Sequence, residues 1–332
     1  MPAVGKYLVL GSNSFSGASF AAHLLQQGHE VIGVSRSAEP HEAFLPYRWS
    51  SSAAGFRFHQ CDINADLDAL MNLVNAEKPE CFVNFAAQSM VAESWRNPDH
   101  WMMTNVVSTV RLHERLRHCD FLHRYVHVTT PEVYGSTTGW VREDAPFNPS
   151  TPYAVSRAAG DMSLRSYFRA YGFPVVFTRA ANVFGPGQQL YRIIPRTILF
   201  IRLGRKLQLH GGGHSQRSFI HIDDVSDATA RIARDGTPGD TYHISTDRLV
   251  SIRDLVRLIC DRMNVRFEDQ VEVVGERLGK DSFYQLDSTK LRSELEWTDR
   301  ITLETGIEQT IAWIDRYLPD LRALPFDYIH KA

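Results

Sequence analysis

Residues 125–157 read YVHVTTPEVYGSTTGWVREDAPFNPSTPYAVSR. The stretch opens as an alternating strand, Tyr125-Val126-His127-Val128, and runs out into Thr129-Thr130-Pro131-Glu132. After a polar loop it enters a helix that carries Tyr153 and Arg157. Two residues four apart on a helix stand one turn from each other on one face, so a phenol sits beside a fixed positive charge. A free tyrosine titrates near pKa ~10, and a cation a few ångströms away favours the phenolate, lowering that value by about one to three units. The spacing therefore predicts a tyrosine that takes a proton from a sugar or alcohol hydroxyl. If the helix packs on the strand, Thr130 and Glu132 at the strand's carboxyl end face the same cleft, where parallel α/β sheets bind ligands. Tyr-x-x-x-Arg is weak by itself, because a tyrosine–arginine pair is commonly a solvated helix face. The flanking sequence decides.

Upstream, Tyr7–Leu10 reads as a short apolar strand, and Gly11-Ser12-Asn13-Ser14-Phe15-Ser16-Gly17 turns it into a helix, Ala18–Gln27, that stops at Gly28. A strand, a glycine-bearing turn and a helix N-terminus form an anion site, where free backbone N–H groups point at a dinucleotide pyrophosphate. Ser14 stands where the usual pattern has its middle glycine, which restricts backbone approach there. The second strand, Glu30–Val34, ends in Ser35-Arg36-Ser37. An NAD site usually has an acid here for the ribose diol, whereas a small residue followed by arginine suits a 2′-phosphate, so the expectation leans towards NADP. A solvated surface arginine would look the same. A third strand, Phe56–Gln60, leads into Cys61-Asp62-Ile63, where Asp62 either accepts from an adenine amino group or caps the next helix, Leu67–Glu77. The fourth, Cys81–Phe85, is an unbroken apolar run of the kind buried in parallel sheets. It ends in Ala86-Ala87-Gln88-Ser89, small enough for a cofactor to lie close to the backbone, and a long helix over 98–117 follows with Asn105 in its interior. Alternating strands and helices predict an α/β fold, a Rossmann-type doubly wound parallel sheet.

Downstream, a helix Pro152–Tyr171 precedes a strand Val175–Arg179 and the run Arg179-Ala180-Ala181-Asn182-Val183-Phe184-Gly185-Pro186-Gly187, where glycine and proline mark a boundary near residue 185. Residues 1–185 are expected to bind the dinucleotide, with 217–245 returning to that domain, and 186–332 to form a smaller mixed α/β substrate domain. A basic apolar helix Arg192–Gly204 opens it, and an amphipathic helix Leu303–Tyr317 comes last. The chain has 332 residues and a net charge of −2, so nothing points to a nucleic acid or an anionic membrane. No apolar run reaches the roughly 18 residues of a bilayer span, and the N-terminus lacks signal-peptide order, so a soluble cytoplasmic protein is expected. Four widely spaced cysteines, Cys61, Cys81, Cys119 and Cys260, predict neither disulfides nor a metal site.

In combination, the glycine turn, AAQS at 86–89, TPEVYG at 130–135, PYAVSR at 152–157, Arg179…Asn182…Gly185-Pro186, Arg217-Ser-Phe-Ile-His-Ile-Asp-Asp and Arg277…Asp281 resemble the extended short-chain dehydrogenase/reductases of the NAD-dependent epimerase/dehydratase type. The likeness covers nearly the whole chain and is greatest to the sugar-nucleotide 4,6-dehydratases. It implies that Tyr153 deprotonates the sugar C4 hydroxyl while C4 is oxidised. Thr130 would hydrogen-bond that hydroxyl, and Glu132 would take the C5 proton, made acidic by the C4 ketone, as water leaves C6. Gly11, Ser14, Phe15, Ser16, Gly17, Arg36, Asp62, Ile63, Ala86, Ala87 and Gln88, with Tyr153 and Arg157, would hold NAD or NADP, tightly bound and regenerated each cycle. Ser89, Asn182, Arg192, Arg217, Arg277 and Asp281 would hold a nucleotide-diphosphate sugar, and a homodimer or homotetramer would pair through helices near 98–118 and 152–171.

Two residues depart from the family pattern. Arg157 replaces its lysine, keeping the charge as a planar guanidinium that stays protonated. Pro131 stands where the dTDP-glucose branch has an aspartic acid that protonates the departing C6 hydroxyl. Two neighbouring activities remain open at this stage, a 4-epimerase, which needs no carboxylate at 132, and a UDP-uronate decarboxylase. A non-catalytic dinucleotide-binding protein is the alternative outside enzymology.

Overall fold

The computed structural model describes residues 5–49, 54–275 and 285–331. Its strands begin with β1 (Lys6–Leu10), β2 (Glu30–Ser35), β3 (Phe56–Gln60), β4 (Cys81–Asn84) and β5 (Arg124–Thr129). There follow β6 (Trp140–Val141), β7 (Val175–Ala180), β8 (Asn182–Phe184), β9 (Leu207–His210), β10 (Gln216–His221) and β11 (Thr241–Ile244). A 7-stranded sheet runs β11-β7-β5-β4-β1-β2-β3, each neighbouring pair parallel. From β1 the chain builds outward through β2 and β3, then crosses back to lay β4 on the other side of β1. That reversal opens a crevice beyond the carboxyl ends of β1 and β4.

The sheet is covered on both faces because its inner strands are largely apolar, with successive side chains serving opposite layers. Val9, Val31, Val83, Val126 and Val176 face α1 (Phe15–Gln26) and an α-helix at Ile222–Asp235, meeting Phe20, Leu24, Val225 and Ile232. Leu8, Leu10, Ile32, Phe82 and Phe177 face the other way, against Leu70 and Val74 of α2 (Leu67–Glu77) and against helices of the chain's middle.

Those middle helices are α3 (Val91–Ser94), α4 (Pro98–Met102), α5 (Thr109–Leu116) and α6 (Pro152–Tyr171). The single helix expected over 98–117 is interrupted: Met103–Ser108 forms a π-helical segment between α4 and α5. The wider turns re-aim Asn105, whose side-chain amide brackets the Gln88 backbone, accepting from its N–H at 2.9 Å and donating to its carbonyl at 3.0 Å. Asn105 also donates to Ser156 Oγ at 2.9 Å, joining the loop after β4 to α6. α6 starts where expected because Thr151 accepts from the Ala154 N–H and Pro152 occupies its first turn, and it ends at Gly172, whose φ is 66°.

The remaining helices are α7 (Ile193–Arg202), α8 (Ile222–Asp235), α9 (Ile252–Arg262), α10 (Phe267–Gln270), α11 (Thr289–Leu295) and α12 (Leu303–Leu321). Segment 217–245 divides: α8 packs on the large sheet and β11 forms its edge, whereas β10 pairs with β8, which has already left that sheet, and with β12 (Leu249–Ser251). The pairs β13 (Val271–Val274) with β9 and β14 (Gln285–Leu286) with β6 complete the strands described. Ile194, Ile198, Leu255, Ile259, Ile307 and Ile314 of α7, α9 and α12 form a separate apolar core.

Candidate active site

β5 ends at Thr129, and the chain turns through a 3-10 helix, Pro131–Tyr134, capped by Thr130 Oγ1, which accepts from the Glu132 N–H at 3.3 Å. Pro131 fits here because it occupies the first position of that turn, where no backbone donor is needed. The turn brings Glu132 round to α6: the Glu132 charge acts on Tyr153, and the Thr130 side chain is hydrogen-bonded to it. Arg192, at the start of α7, is also close enough to act on the Tyr153 phenol. Tyr153, Thr130, Glu132, Arg157 and Arg192 thus converge on one cleft at the carboxyl end of β5.

The electrostatics correct one expectation. The Tyr153 pKa lies above the ordinary tyrosine value, not below it, because burial outweighs the Arg157 charge, the Thr130 hydrogen bond and the Arg192 charge that pull it down, and Glu132 pushes it up further. A phenolate in an 8 % exposed side chain loses more hydration than one guanidinium returns. Arg157 is itself buried, and its Nη2 donates to the Val128 carbonyl of β5, which binds α6 to the strand beneath the reacting residues.

A buried polar network underlies the cleft. Asp161, on α6, accepts from Arg179 Nη2 at 2.7 Å and from Thr129 Oγ1 at 3.1 Å, and His127 Nε2 lies 3.5 Å from its other oxygen. Arg179 Nη1 donates to the Tyr134 hydroxyl, which is 2.8 Å from His243 Nε2. Asp161 and Arg179 are wholly buried, and together they tie α6, the end of β5 and the Glu132 turn into one unit. Burial keeps the surrounding histidines neutral: His243 is depressed to about 3, and His127 lies well below the usual range. The sequence reading assigned no role to this network, although a lone arginine within the apolar run Val175–Ala180 was a visible signal.

At the glycine turn, Ser14 is the N-cap of α1: its hydroxyl accepts from the Gly17 N–H at 3.1 Å and donates to the Gly11 carbonyl at 2.7 Å. Serine therefore performs a capping task at the position where glycine was the usual residue. A Cβ on Gly17 would lie 2.2 Å from the Gly11 carbonyl oxygen, and one on Gly11 2.7 Å from the Ala86 nitrogen, so glycine alone lets α1 start directly against β1 and β4. The first-turn amides of Phe15 and Ser16 thereby stand at the β1–β4 crevice, while the Phe15 ring turns into the core. A dinucleotide pyrophosphate fits this arrangement.

The other predicted residues divide. Asp62 closes the turn before α2, accepting from the Asn64 N–H at 2.9 Å, and Ile63 is buried beside it. Ala86 lies against Gly11 at the crevice, Ala87 is half-buried after it, Gln88 is buried, and Ser89 is exposed. Arg36 follows β2 and donates to the carbonyl of Lys331 at 3.1 Å. Asn182 Nδ2 is buried and has no hydrogen-bond partner among the described residues, as suits a donor reserved for a ligand. Arg217 lies on β10 opposite Val250, where its Nη1 donates to the Gln216 carbonyl. Arg277 and Asp281 lie outside the described residues. A cavity of about 570 Å³ bounded by His23, Trp49, Asp223 and Asp227 lies between α1 and α8 and holds none of the predicted site residues. Among the described residues no cluster of His, Cys, Asp or Glu is placed to hold a metal.

The family model described as GDP-mannose 4,6 dehydratase matches residues 8–310. The chain is 33% identical over 318 residues to dTDP-glucose 4,6-dehydratase of Mycolicibacterium smegmatis, covering 93% of this chain and 92% of that protein. It is 33% identical over 268 residues to the Arabidopsis thaliana trifunctional UDP-glucose 4,6-dehydratase/UDP-4-keto-6-deoxy-D-glucose 3,5-epimerase/UDP-4-keto-L-rhamnose-reductase, covering 80% of this chain and 40% of that longer protein. DesIV, a dTDP-glucose 4,6-dehydratase from Streptomyces venezuelae solved with NAD bound, superposes with a TM-score of 0.86 at 30% identity, covering 94% of this chain and 97% of that one.

Proposed function

The chain belongs to the GDP-mannose 4,6-dehydratase family, and from that membership we propose that it converts a nucleotide-diphosphate hexose to the 4-keto-6-deoxy sugar nucleotide with NAD as its cofactor. The observation that carries this reading is the convergence of Tyr153, Thr130 and Glu132 at the end of β5. An epimerase has no use for the carboxylate.

NAD, when bound, accepts a hydride from C4 of the sugar and returns one to C6. The residues do the rest. Tyr153, assisted by Thr130, takes the proton of the C4 hydroxyl. Glu132 removes the C5 proton, which the new ketone has acidified, and the C5–C6 double bond forms as hydroxide departs from C6. Pro131 has no proton to give, so Glu132 passes the proton it has just gained to that leaving oxygen, releasing water; with C6 reduced, Glu132 then delivers a proton drawn from solvent to C5, completing the product. Asn182 and Arg192 hold the substrate in this scheme, and the first turn of α1 with Ala86 and Gln88 holds the cofactor. Arg36 lies at the ribose end of the crevice, and the NAD carried by DesIV favours that cofactor over NADP for this chain.

Residues 1–185 with α8 and β11 form the dinucleotide part in this reading, and the remainder the substrate part. Met103 and Val107 on the π segment, with Val155 and Met162 on α6, are exposed apolar side chains that we assign to a homodimer interface. No helix among the described residues is long and apolar enough to cross a membrane. The four cysteines are unpaired, which accords with a reducing compartment, and we place the reaction in the cytoplasm. Incubation with dTDP-glucose, UDP-glucose, GDP-mannose and CDP-glucose tests the assignment: one of them is expected to lose the mass of one water. An unchanged mass with inverted C4 would mean an epimerase instead.

A further inference from the structure

After α12 the chain does not stop at the substrate part but crosses to the dinucleotide part. Phe326 packs on Phe200 and lies beneath Arg205, Asp327 pairs with Arg196 of α7 at 2.9 Å, and Tyr328 meets Tyr191 edge to face. His330 stacks at 5.2 Å on both His100 and Trp101, and its Nε2 is 2.9 Å from His100 Nδ1. The Lys331 carbonyl then accepts from Gln88 Nε2 at 2.7 Å and from Arg36 Nη2 at 3.1 Å, while its amine donates to Ser37 Oγ at 3.2 Å. Side chains alternate along this extended run: Phe326, Tyr328 and His330 are half-buried, and Asp327 and Ile329 are exposed.

Residues 325–331 are therefore a strap anchored at both ends. At its far end one carbonyl, that of Lys331, takes both Gln88, which follows β4 and is only 3 % exposed, and Arg36, which follows β2. A chain that bonds to both lies across the crevice at the carboxyl ends of those strands. We propose that the strap is an intramolecular occupant of the dinucleotide site, so that NAD enters only when residues 328–331 let go. This rests on the reading above that the crevice takes NAD. Lys331 uses its backbone carbonyl as the competing acceptor, so the side chains that carry the effect are the anchors Tyr328 and His330.

If the released form is a minor one, apparent affinity for NAD is lowered by the fraction released, and freeing the strap returns it. The experiment uses the full chain stripped of nucleotide. NAD binding is followed by stopped-flow tryptophan fluorescence for the wild type and for Tyr328→Ala/His330→Ala, and backbone hydrogen exchange of residues 325–331 is measured with and without NAD. The proposal predicts a wild-type association rate that saturates with NAD, a variant whose association is faster by about tenfold and does not saturate, and faster exchange in the strap when NAD is bound. Slower exchange with NAD, or a variant that binds NAD no faster, would show a lid closing over the cofactor or an inert tail and would overturn it. Of the outcomes of this experiment, only failure of every form to bind NAD would overturn the functional reading as well.

Discussion

Tyr153 holds its proton more firmly than a free tyrosine, since its pKa is raised by burial and by Glu132. An acid whose pKa is raised supplies less base at neutral pH, so kcat/KM is expected to climb with pH through neutrality and level off only above the phenol's pKa. Arg157 is the largest influence in the other direction. Arg157→Met should move that limb further into the alkaline range and cut the neutral rate by about tenfold or more, whereas Arg157→Lys should leave the limb near its original place. A pH series of kcat/KM for the three proteins checks this; an unmoved limb in Arg157→Met would show that the guanidinium serves only to hold Val128. Pairing of tyrosine and arginine was legible because helical spacing fixes it. The sign of the net shift was not, since desolvation depends on what the whole fold stacks above the ring.

α1 and the turn before it form the element on which the cofactor reading rests. Gly17→Ala places a methyl 2.2 Å from a backbone oxygen that cannot yield, so overpacking of about 1–3 kcal/mol and a lower Tm are expected, with NAD affinity falling alongside. Calorimetry and NAD titration of the variant measure both. The joint of α6 with β5 and β7 is a stronger dependence: Arg179→Met leaves Asp161 as a buried carboxylate without its partner, a loss of about 3–5 kcal/mol in urea unfolding. Elements such as α6 were readable to the residue, because Thr151, Pro152 and Gly172 are unambiguous start and stop signals. The π segment at 103–108 was not, since nothing in Met-Thr-Asn-Val-Val-Ser breaks a helix; its cause is the distant Gln88 backbone that Asn105 serves. The strap at 325–331 was missed for a similar reason, as its hydrogen bonds to the rest of the molecule reach residues 131 to 295 positions away in the chain.

Across the molecule, four buried histidines share one consequence. His113 and His127 titrate well below the ordinary value, His221 near about 4 and His243 near about 3, each because burial disfavours the charged ring. Their folded pKa values lie below the unfolded one, so the stability they contribute is complete above about pH 6.5 and is lost as pH falls beneath it, at about 1.4 kcal/mol per pH unit for each. Urea unfolding midpoints should therefore drop steeply between about pH 7 and about pH 5.5, and flat midpoints there would contradict the assigned burial. Assembly is tested at the same scale. The wild type is expected to sediment as a dimer and Met162→Glu/Val107→Glu as a monomer, and equal sedimentation coefficients would remove that face from consideration. Oxidation at C4 followed by elimination across C5 and C6 needs a carboxylate beside the phenol, and that carboxylate is Glu132. The most direct test is mass spectrometry of the turned-over sugar nucleotide in heavy water, wild type against Glu132→Gln. The wild type should yield a product lacking one water and carrying deuterium at C5, and Glu132→Gln should form none of it. Equal product and equal label from Glu132→Gln would contradict the account.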